Sequence, residues 1–475
     1  MEKKSIGFGA RGTMLLVYQF LAYCTYCAFT NFPQNMAGQV MGAEGTPVIA
    51  QTSITFINLI GSLLGYCITY FIVAPRIGKM KSVKRTGLSI GVVALLCCAG
   101  VTLIPITTTW LWYIFFALVL ITTQLWACFF ATMLIGNWFP RRKGTVMGIV
   151  TMAFPLVTGL GLSVCYSQFF GAIMPALMTG QVPDYTMAFV QCFGLYWILG
   201  LISILICAIF LKDFPEQCGA YRDNDRSFTP EMAQKMMMAE IEARKKSVWK
   251  RSKIWGCKAW WLMAIPNGLL LSCAMAFMVQ IIPVLNGYGE ALDVLKLSDT
   301  FILLNSGPTT VLTGLAIFAC FGSWFLGVMD TKFGTKTAVF ITSIVMLAAG
   351  ILGALNNGTA LLISLVLIAM FMGASSNFTV SAAVQYWRIE DFPSVFSVVN
   401  PVANLINSFG PMVIAALLFT AVGPVPSRVF IATAIAGAVG LILMLLFKPG
   451  HVKAKDDKYR AAAGKPLDDV LAGRK

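Results

Sequence analysis

The side chains best placed to meet a solute are uncharged. Asn400, Asn404 and Asn407 recur at i, i+4 and i+7, which is one face of a helix. Pro401 removes a backbone donor in their first turn. Far upstream, Gln19 and Tyr23 are four residues apart, Tyr26 follows Tyr23 at i+3, and Tyr18 and Asn31 lie on the same apolar segment. Amide and aromatic groups together suit a small polar or amphipathic solute. Gln124 (with Trp126), Asn267, Gln280 and Asn377 extend the set. Asn58 and Asn305 fit helix-packing hydrogen bonds equally well. An unpartnered amide is costly in hydrocarbon, so each cluster faces either a wet pathway or a neighbouring helix. Both readings stand for the asparagine stripe, and an ordinary packed face is the alternative for the Gln19–Asn31 segment.

Other chemistry is poorly served. Cys24 and Cys27 have redox spacing, but they sit in an apolar run where Cys acts as a small hydrophobe. The single histidine, His451, follows Lys448-Pro449-Gly450 and has no metal-ligand company. No nucleophile–base pair or large polar domain is visible, so neither an enzyme nor a cofactor is expected. The notable charges lie at segment ends: Arg76, the run Arg141-Arg142-Lys143, Asp330, and Arg388 beside Glu390 and Asp391. The Arg141–Lys143 run reads first as an inside anchor and second as a solute-capturing mouth. Arg388 reads the same way, with a latch between two bundles of helices as the other possibility.

The elements that must position these residues follow from composition. The 475-residue chain is 58% hydrophobic and only 12% charged, where an average soluble protein has about 25% charged residues. Long segments must therefore sit in hydrocarbon, where an ionised group costs roughly 2.5–3.5 kcal/mol or more. Runs of about 20 apolar residues predict spans over 12–36, 51–74, 86–106, 110–136, 144–171, 187–211, 258–285, 305–329, 336–356, 359–386, 393–422 and 427–447. With twelve spans, every Lys and Arg except Lys296 and Arg428 falls on one side. The positive-inside rule makes that side cytoplasmic and places both termini there. The same rule accounts for the basic balance, so no nucleic-acid partner is expected. The Lys3, Lys4 and Arg11 start resembles a signal peptide, but its apolar run is too long and is read as a retained first helix. All acids are expected in loops or at span ends.

Residues 213–256 break the apolar pattern and divide the chain six plus six. The expected organisation is an N-terminal bundle over 1–212, a cytoplasmic linker over 213–256, a C-terminal bundle over 257–450 and a cytoplasmic tail over 451–475. In the linker, Thr229-Pro230-Glu231 reads as a helix start. The basic segment after it, through Trp249 and Trp255, reads as an interfacial helix with Trp at headgroup depth, or as a solvated linker. The halves echo each other. Gly61-Ser62-Leu63-Leu64-Gly65 pairs with Gly322-Ser323-Trp324-Phe325-Leu326-Gly327, and Arg76-Ile77-Gly78-Lys79 with Lys332-Phe333-Gly334-Thr335-Lys336. Phe32-Pro33-Gln34-Asn35 pairs with Ile282-Pro283-Val284-Leu285-Asn286, and Trp138-Phe139-Pro140 with Trp387 followed by Phe392-Pro393. Repeated halves around a midplane site are a common build for secondary transporters.

On these features the chain resembles the major facilitator superfamily: two six-helix bundles with basic loops after spans 2 and 8. The second loop keeps Gly327 and Gly334 at the family separation with Asp330 one residue early, and in the first loop Pro75 holds the acidic position. Asn137-Trp138-Phe139-Pro140-Arg141-Arg142-Lys143-Gly144, followed by Met147-Gly148-Ile149, is similar to the oxalate/formate antiporter and monocarboxylate transporter branch. The resemblance implies an all-α membrane protein, a functional monomer in the lipid bilayer of the cell membrane, and alternating-access transport of a small organic anion such as a monocarboxylate or dicarboxylate. That branch places cations within helices of its C-terminal half, and none is seen here. The uncharged interiors favour the alternative, a facilitator or exporter of neutral or amphipathic solutes. The lack of an intramembrane carboxylate or His points to uniport, to solute exchange, or to proton movement that rides with the substrate acid itself.

Overall fold

Without water, backbone N–H and C=O groups must be satisfied inside their own segment, so apolar runs of this length become helices. The computed structural model describes residues 7–40, 51–77, 80–104, 109–181, 183–227, 229–279, 284–285, 308–355, 357–372, 377–420 and 423–463. The expected positions Gly78, Lys79, Gln280, Pro283, Asn286, Lys296 and Asn305 lie outside them, as does the end of the tail.

The protein is an all-α membrane protein. Among the described residues eleven helices are long and apolar enough to cross a membrane, and a twelfth crossing is the pair Gly358–Met372 and Asn377–Tyr386, bent by 50°. The first six spans begin with Ala10–Val40 (span 1), Gln51–Ile68 continuing to Val73 (span 2) and Val83–Leu103 (span 3). Span 4 runs from Thr109–Thr123 to Trp138, span 5 from Lys143–Thr151 to Met178, and span 6 is Tyr185–Phe210. The second six are Lys258–Val279, Pro308–Phe333, Thr335–Gly353, the bent pair, Phe392–Leu418 and Pro426–Leu446 (spans 7 to 12). Before span 12, Phe419–Thr420 pairs antiparallel with Gly423–Pro424.

Helix starts follow local chemistry. Ser82 accepts from the Arg85 amide at 3.0 Å and Asp184 from Met187 at 3.0 Å, each satisfying a first-turn donor. In the first half, span 1 packs on span 6, with Thr25 Oγ1 donating to Tyr196 O (2.9 Å) and Ser203 Oγ to Tyr18 O (2.8 Å). In the second, span 9 packs on span 12 and span 7 on span 11. The halves meet where span 5 lies against span 8 and span 2 against span 11. Small residues make the first contact close: a β-carbon on Gly148 would stand 2.8 Å from Ser323 O and 3.1 Å from Gly327 Cα. Large apolar side chains such as Phe71, Leu96, Ile209 and Ile435 are exposed, as a lipid-facing surface requires.

The linker packs against the rest of the protein. Its helix begins after Thr229, whose Oγ1 accepts from Met232 N, and runs Pro230–Lys245. One face of it packs inward: Ala233, Met237 and Glu240 are buried, and Glu240 holds both Arg222 and Arg244. Trp249 is packed within protein. It is 1% exposed, edge-on to Trp387 and Tyr459, with its indole N–H donated to Asp456 at 2.9 Å. Beyond span 12 the chain forms a helix, Gly450–Ala462, that packs back through Val452 and Asp456.

Candidate functional site

A cavity of about 60 Å3 lies between the halves. Its lining comes from span 1 (Tyr26, Thr30, Asn31), span 2 (Asn58, Ser62, Tyr66), span 4 (Leu120, Gln124), span 7 (Met275) and span 11 (Asn407, Ser408, Pro411). None of these described residues is charged. Ligand pockets commonly hold about 300–1,000 Å3, so a whole solute fits only if the halves part.

Two polar atoms at the cavity have no protein partner: Gln124 Nε2 and Asn407 Oδ1. Each is an open donor or acceptor in a site where such groups are costly, so each is ready for water or solute. Local structure holds both in place. Gln124 opens a π-helical segment, Gln124–Phe130, inside span 4; such turns shift the side-chain register and are frequent at functional sites. Pro411 lacks an N–H, which frees the Asn407 carbonyl one turn earlier. Asn31 Nδ2 donates to Cys27 O at 2.9 Å, Thr30 Oγ1 to Tyr26 O at 2.7 Å and Ser408 Oγ to Asn404 O at 3.0 Å. Tyr26 packs edge-on against Tyr23 at 5.6 Å.

Of the residues singled out from sequence, Tyr26, Asn31, Gln124 and Asn407 meet at this cavity. Tyr23 supports it from behind. The others are held elsewhere. Gln19 is buried between spans 1 and 4, donating to Thr132 Oγ1 (2.8 Å) and Ala127 O (3.4 Å). Asn404 Nδ2 donates to Asn400 Oδ1 (2.8 Å), which also accepts from Thr379 (3.2 Å), so the stripe divides into a hydrogen-bonded pair and one cavity residue. Asn377, at the start of the second part of span 10, donates to Thr151 Oγ1 of span 5 at 2.8 Å. Asn267 is buried with both carboxamide atoms unpaired. Gln280 lies outside the described residues. Sequence reasoning passed over Thr30, Ser62, Tyr66 and Ser408. The spacing 58, 62, 66 is itself a polar helical face, and it was the missed signal.

The charged candidates do not line the cavity. Arg76 is exposed and caps Ile72 O at 2.9 Å. The amides of Arg141 and Arg142 both donate to Asp223 at 3.1 Å, and the Arg141 guanidinium pairs with Asp225 at 3.1 Å. Burial pushes the Asp223 carboxyl above its usual range against those two amide donors. These residues dock the linker onto the first half. Arg388 Nε donates to Asp456 at 3.0 Å, so its ion pair joins the tail helix rather than the opposite bundle. Two span-end charges are buried. Lys143 is 2% exposed, 3.7 Å from the Phe392 ring centroid, with no hydrogen-bond partner for Nζ. Asp330, inside the last turn of span 8, accepts from Thr335 Oγ1 at 2.6 Å. The close meeting of spans 5 and 8 excludes water from both.

Residues 296–472 match the sequence model of the Major Facilitator Superfamily. No curated protein matches the chain. Among solved structures it is similar to the proton:xylose symporter XylE bound to 6-bromo-6-deoxy-D-glucose, at 14% identity, covering 92% of this chain and 95% of that one with a TM-score of 0.64. It is also similar to FucP in the outward conformation (14% identity, 93% and 99% covered, TM-score 0.57). A third likeness is to the human organic anion transporter MFSD10 (10% identity, 92% and 98% covered, TM-score 0.59). At these identities the likeness defines the fold, the major facilitator fold of two six-helix halves.

Proposed function

We propose that the protein is a secondary transporter that moves a small, uncharged, hydrogen-bonding solute by alternating access. The halves, residues 1–212 and 257–450, rock about the cavity and expose it to each side in turn. The observation that carries this reading is the cavity lining: carboxamides, hydroxyls and tyrosines drawn from both halves, with no charge among them. An uncharged site binds an ion poorly, because nothing offsets the ion's lost hydration. The organic-anion reading rests on the Asn137–Gly144 likeness, and the run that carries it docks the linker and does not line this cavity. The asymmetry of Lys and Arg supports a cell-membrane protein with cytoplasmic termini, and the family resemblance supports a functional monomer.

The test is reconstitution in liposomes. Thermal stabilisation and flux are measured with a panel of monosaccharides, polyols and nucleosides against matched small carboxylates. Stabilisation and counterflow with neutral solutes alone is the expected result. A response confined to carboxylates would overturn the neutral-solute reading and restore the anion branch.

A further inference from the structure

The side of the bundle that carries the linker is closed by more than the contacts between spans. Residues 247–256 cross from one half to the other. Toward the first half, Arg251 Nη1 donates to Tyr70 O at 3.3 Å with its guanidinium over the Tyr70 ring, and Trp255 Nε1 donates to Tyr70 Oη at 2.6 Å. Toward the second half, Ser247 Oγ donates to Asp391 at 2.6 Å, and Trp249 reaches Asp456 and packs edge-on against Trp387.

The tail helix closes the ring. Arg460 pairs with Asp391, with Glu390 (3.4 Å) and with Asp456 on its own helix. Asp456 takes the Trp249 indole and Arg388 together. Tyr459 packs edge-on against Trp249 and lies under Lys253, while Lys455 donates to Gly256 O. Trp249, Asp391 and Asp456 are each less than a tenth exposed, so this junction is built, not incidental. Separation of the halves on this side stretches the path from Tyr70 to Asp391 and must break contacts at one end of it.

We propose that residues 247–256 and the tail helix Gly450–Ala462 form a clasp that holds the linker side of the two halves shut. Opening toward that side requires release of the tail helix or of Tyr70. The clasp is independent of the solute carried.

Two cysteine pairs in the full chain report on it, because both span the same interface at opposite ends. Thr145 and Thr331 hydroxyls are 3.1 Å apart near the linker side, and Ser163 and Thr313 hydroxyls are 2.6 Å apart further along spans 5 and 8. Thr145→Cys/Thr331→Cys and Ser163→Cys/Thr313→Cys are each oxidised with copper phenanthroline at one fixed pH. Two thiols lose two protons and two electrons to the copper(II) oxidant as the disulfide forms, and the linked peptides are quantified by mass spectrometry. Asp456→Ala, Arg460→Ala and truncation after Lys448 are each expected to slow the 145/331 cross-link at least fivefold while the 163/313 cross-link still forms. Tyr70→Phe, which loses only the bond from Trp255, is expected to slow it about twofold. Equal 145/331 rates in all variants would overturn the clasp. A parallel loss of both cross-links in the point variants would also overturn it, since that outcome marks general loosening of the fold.

Discussion

Gly65 and Gln124 are fitted to each other: a β-carbon on Gly65 would stand 2.6 Å from Gln124 Oε1. The glycine thus sets where the span 4 carboxamide sits while its Nε2 stays open at the cavity. Gly65→Ala is expected to displace that carboxamide. Solute affinity should fall about tenfold, roughly 1.4 kcal/mol, while stability changes little, because the atom that must move is the end of a flexible side chain. Thermal unfolding with and without the stabilising solute separates the two effects. Unchanged affinity in a folded Gly65→Ala protein would remove Gln124 from the site.

Asn407 and Gln124 contribute open hydrogen-bonding atoms from opposite halves. Asn407→Ala and Gln124→Ala should each weaken solute binding by about 1 kcal/mol, the usual net value of a hydrogen bond. Asn404→Ala should leave affinity nearly unchanged, because Asn404 is hydrogen-bonded to Asn400. Binding isotherms for the three variants check this. Equal losses for Asn404 and Asn407 would mean that the whole stripe faces the solute.

Asp391 ties the tail helix to pH. Burial, opposed by Arg460 and the Ser247 hydrogen bond, pushes its carboxyl up to about 6. The charged groups around it are Arg460 and Asp456 on the tail helix, Arg388 and Glu390 beside it, and Arg244 of the linker near Glu390. The raised value means that the folded state holds this proton more tightly than the unfolded state. The contribution is therefore present at about pH 4 and is lost as pH rises through about 6. Thermal stability should rise as pH falls from 7 to 5, by an amount on the order of 1 kcal/mol for this group. Asp391→Asn should flatten that rise. A slope that is the same in wild type and Asp391→Asn would assign the pH response to other groups.

The spans were legible because a hydrocarbon slab demands long apolar runs, and those runs are countable. The linker helix was legible at its start, where Thr229 and Pro230 carry the capping chemistry. The site was legible only in part. Helical spacing says which residues share a face but not what faces them, so Asn400 and Asn407 looked equivalent until span 10 brought Thr379 to one and left the other at the cavity. The π-helical turn at Gln124 changes the register of span 4 in a way that no composition signal marks. The burial of Lys143 and Trp249 was not legible, because burial of a span-end charge or a linker indole depends on partners far away in the chain, here Phe392 and Asp456.

The contact of span 5 with span 8 makes the sharpest mechanical prediction. Gly148 faces Ser323 O and Gly327 Cα at distances that leave no room for a side chain, and Ser323 Oγ donates to Gly148 O at 2.9 Å. Helix backbones this close are held by packing and interhelical hydrogen bonds, because lipid gives no hydrophobic drive between helices. Gly148→Val must push the spans apart on the linker side, breaking both the Ser323 bond and the Thr145 to Thr331 contact. The expected result is a bias toward the linker-open state: faster thiol labelling of Thr151→Cys, which is buried behind this contact, by at least fivefold. Gly148→Ala should give a smaller change in the same direction. If Gly148→Val folds and labels at the wild-type rate, spans 5 and 8 do not part during transport, and the rocking axis must lie elsewhere.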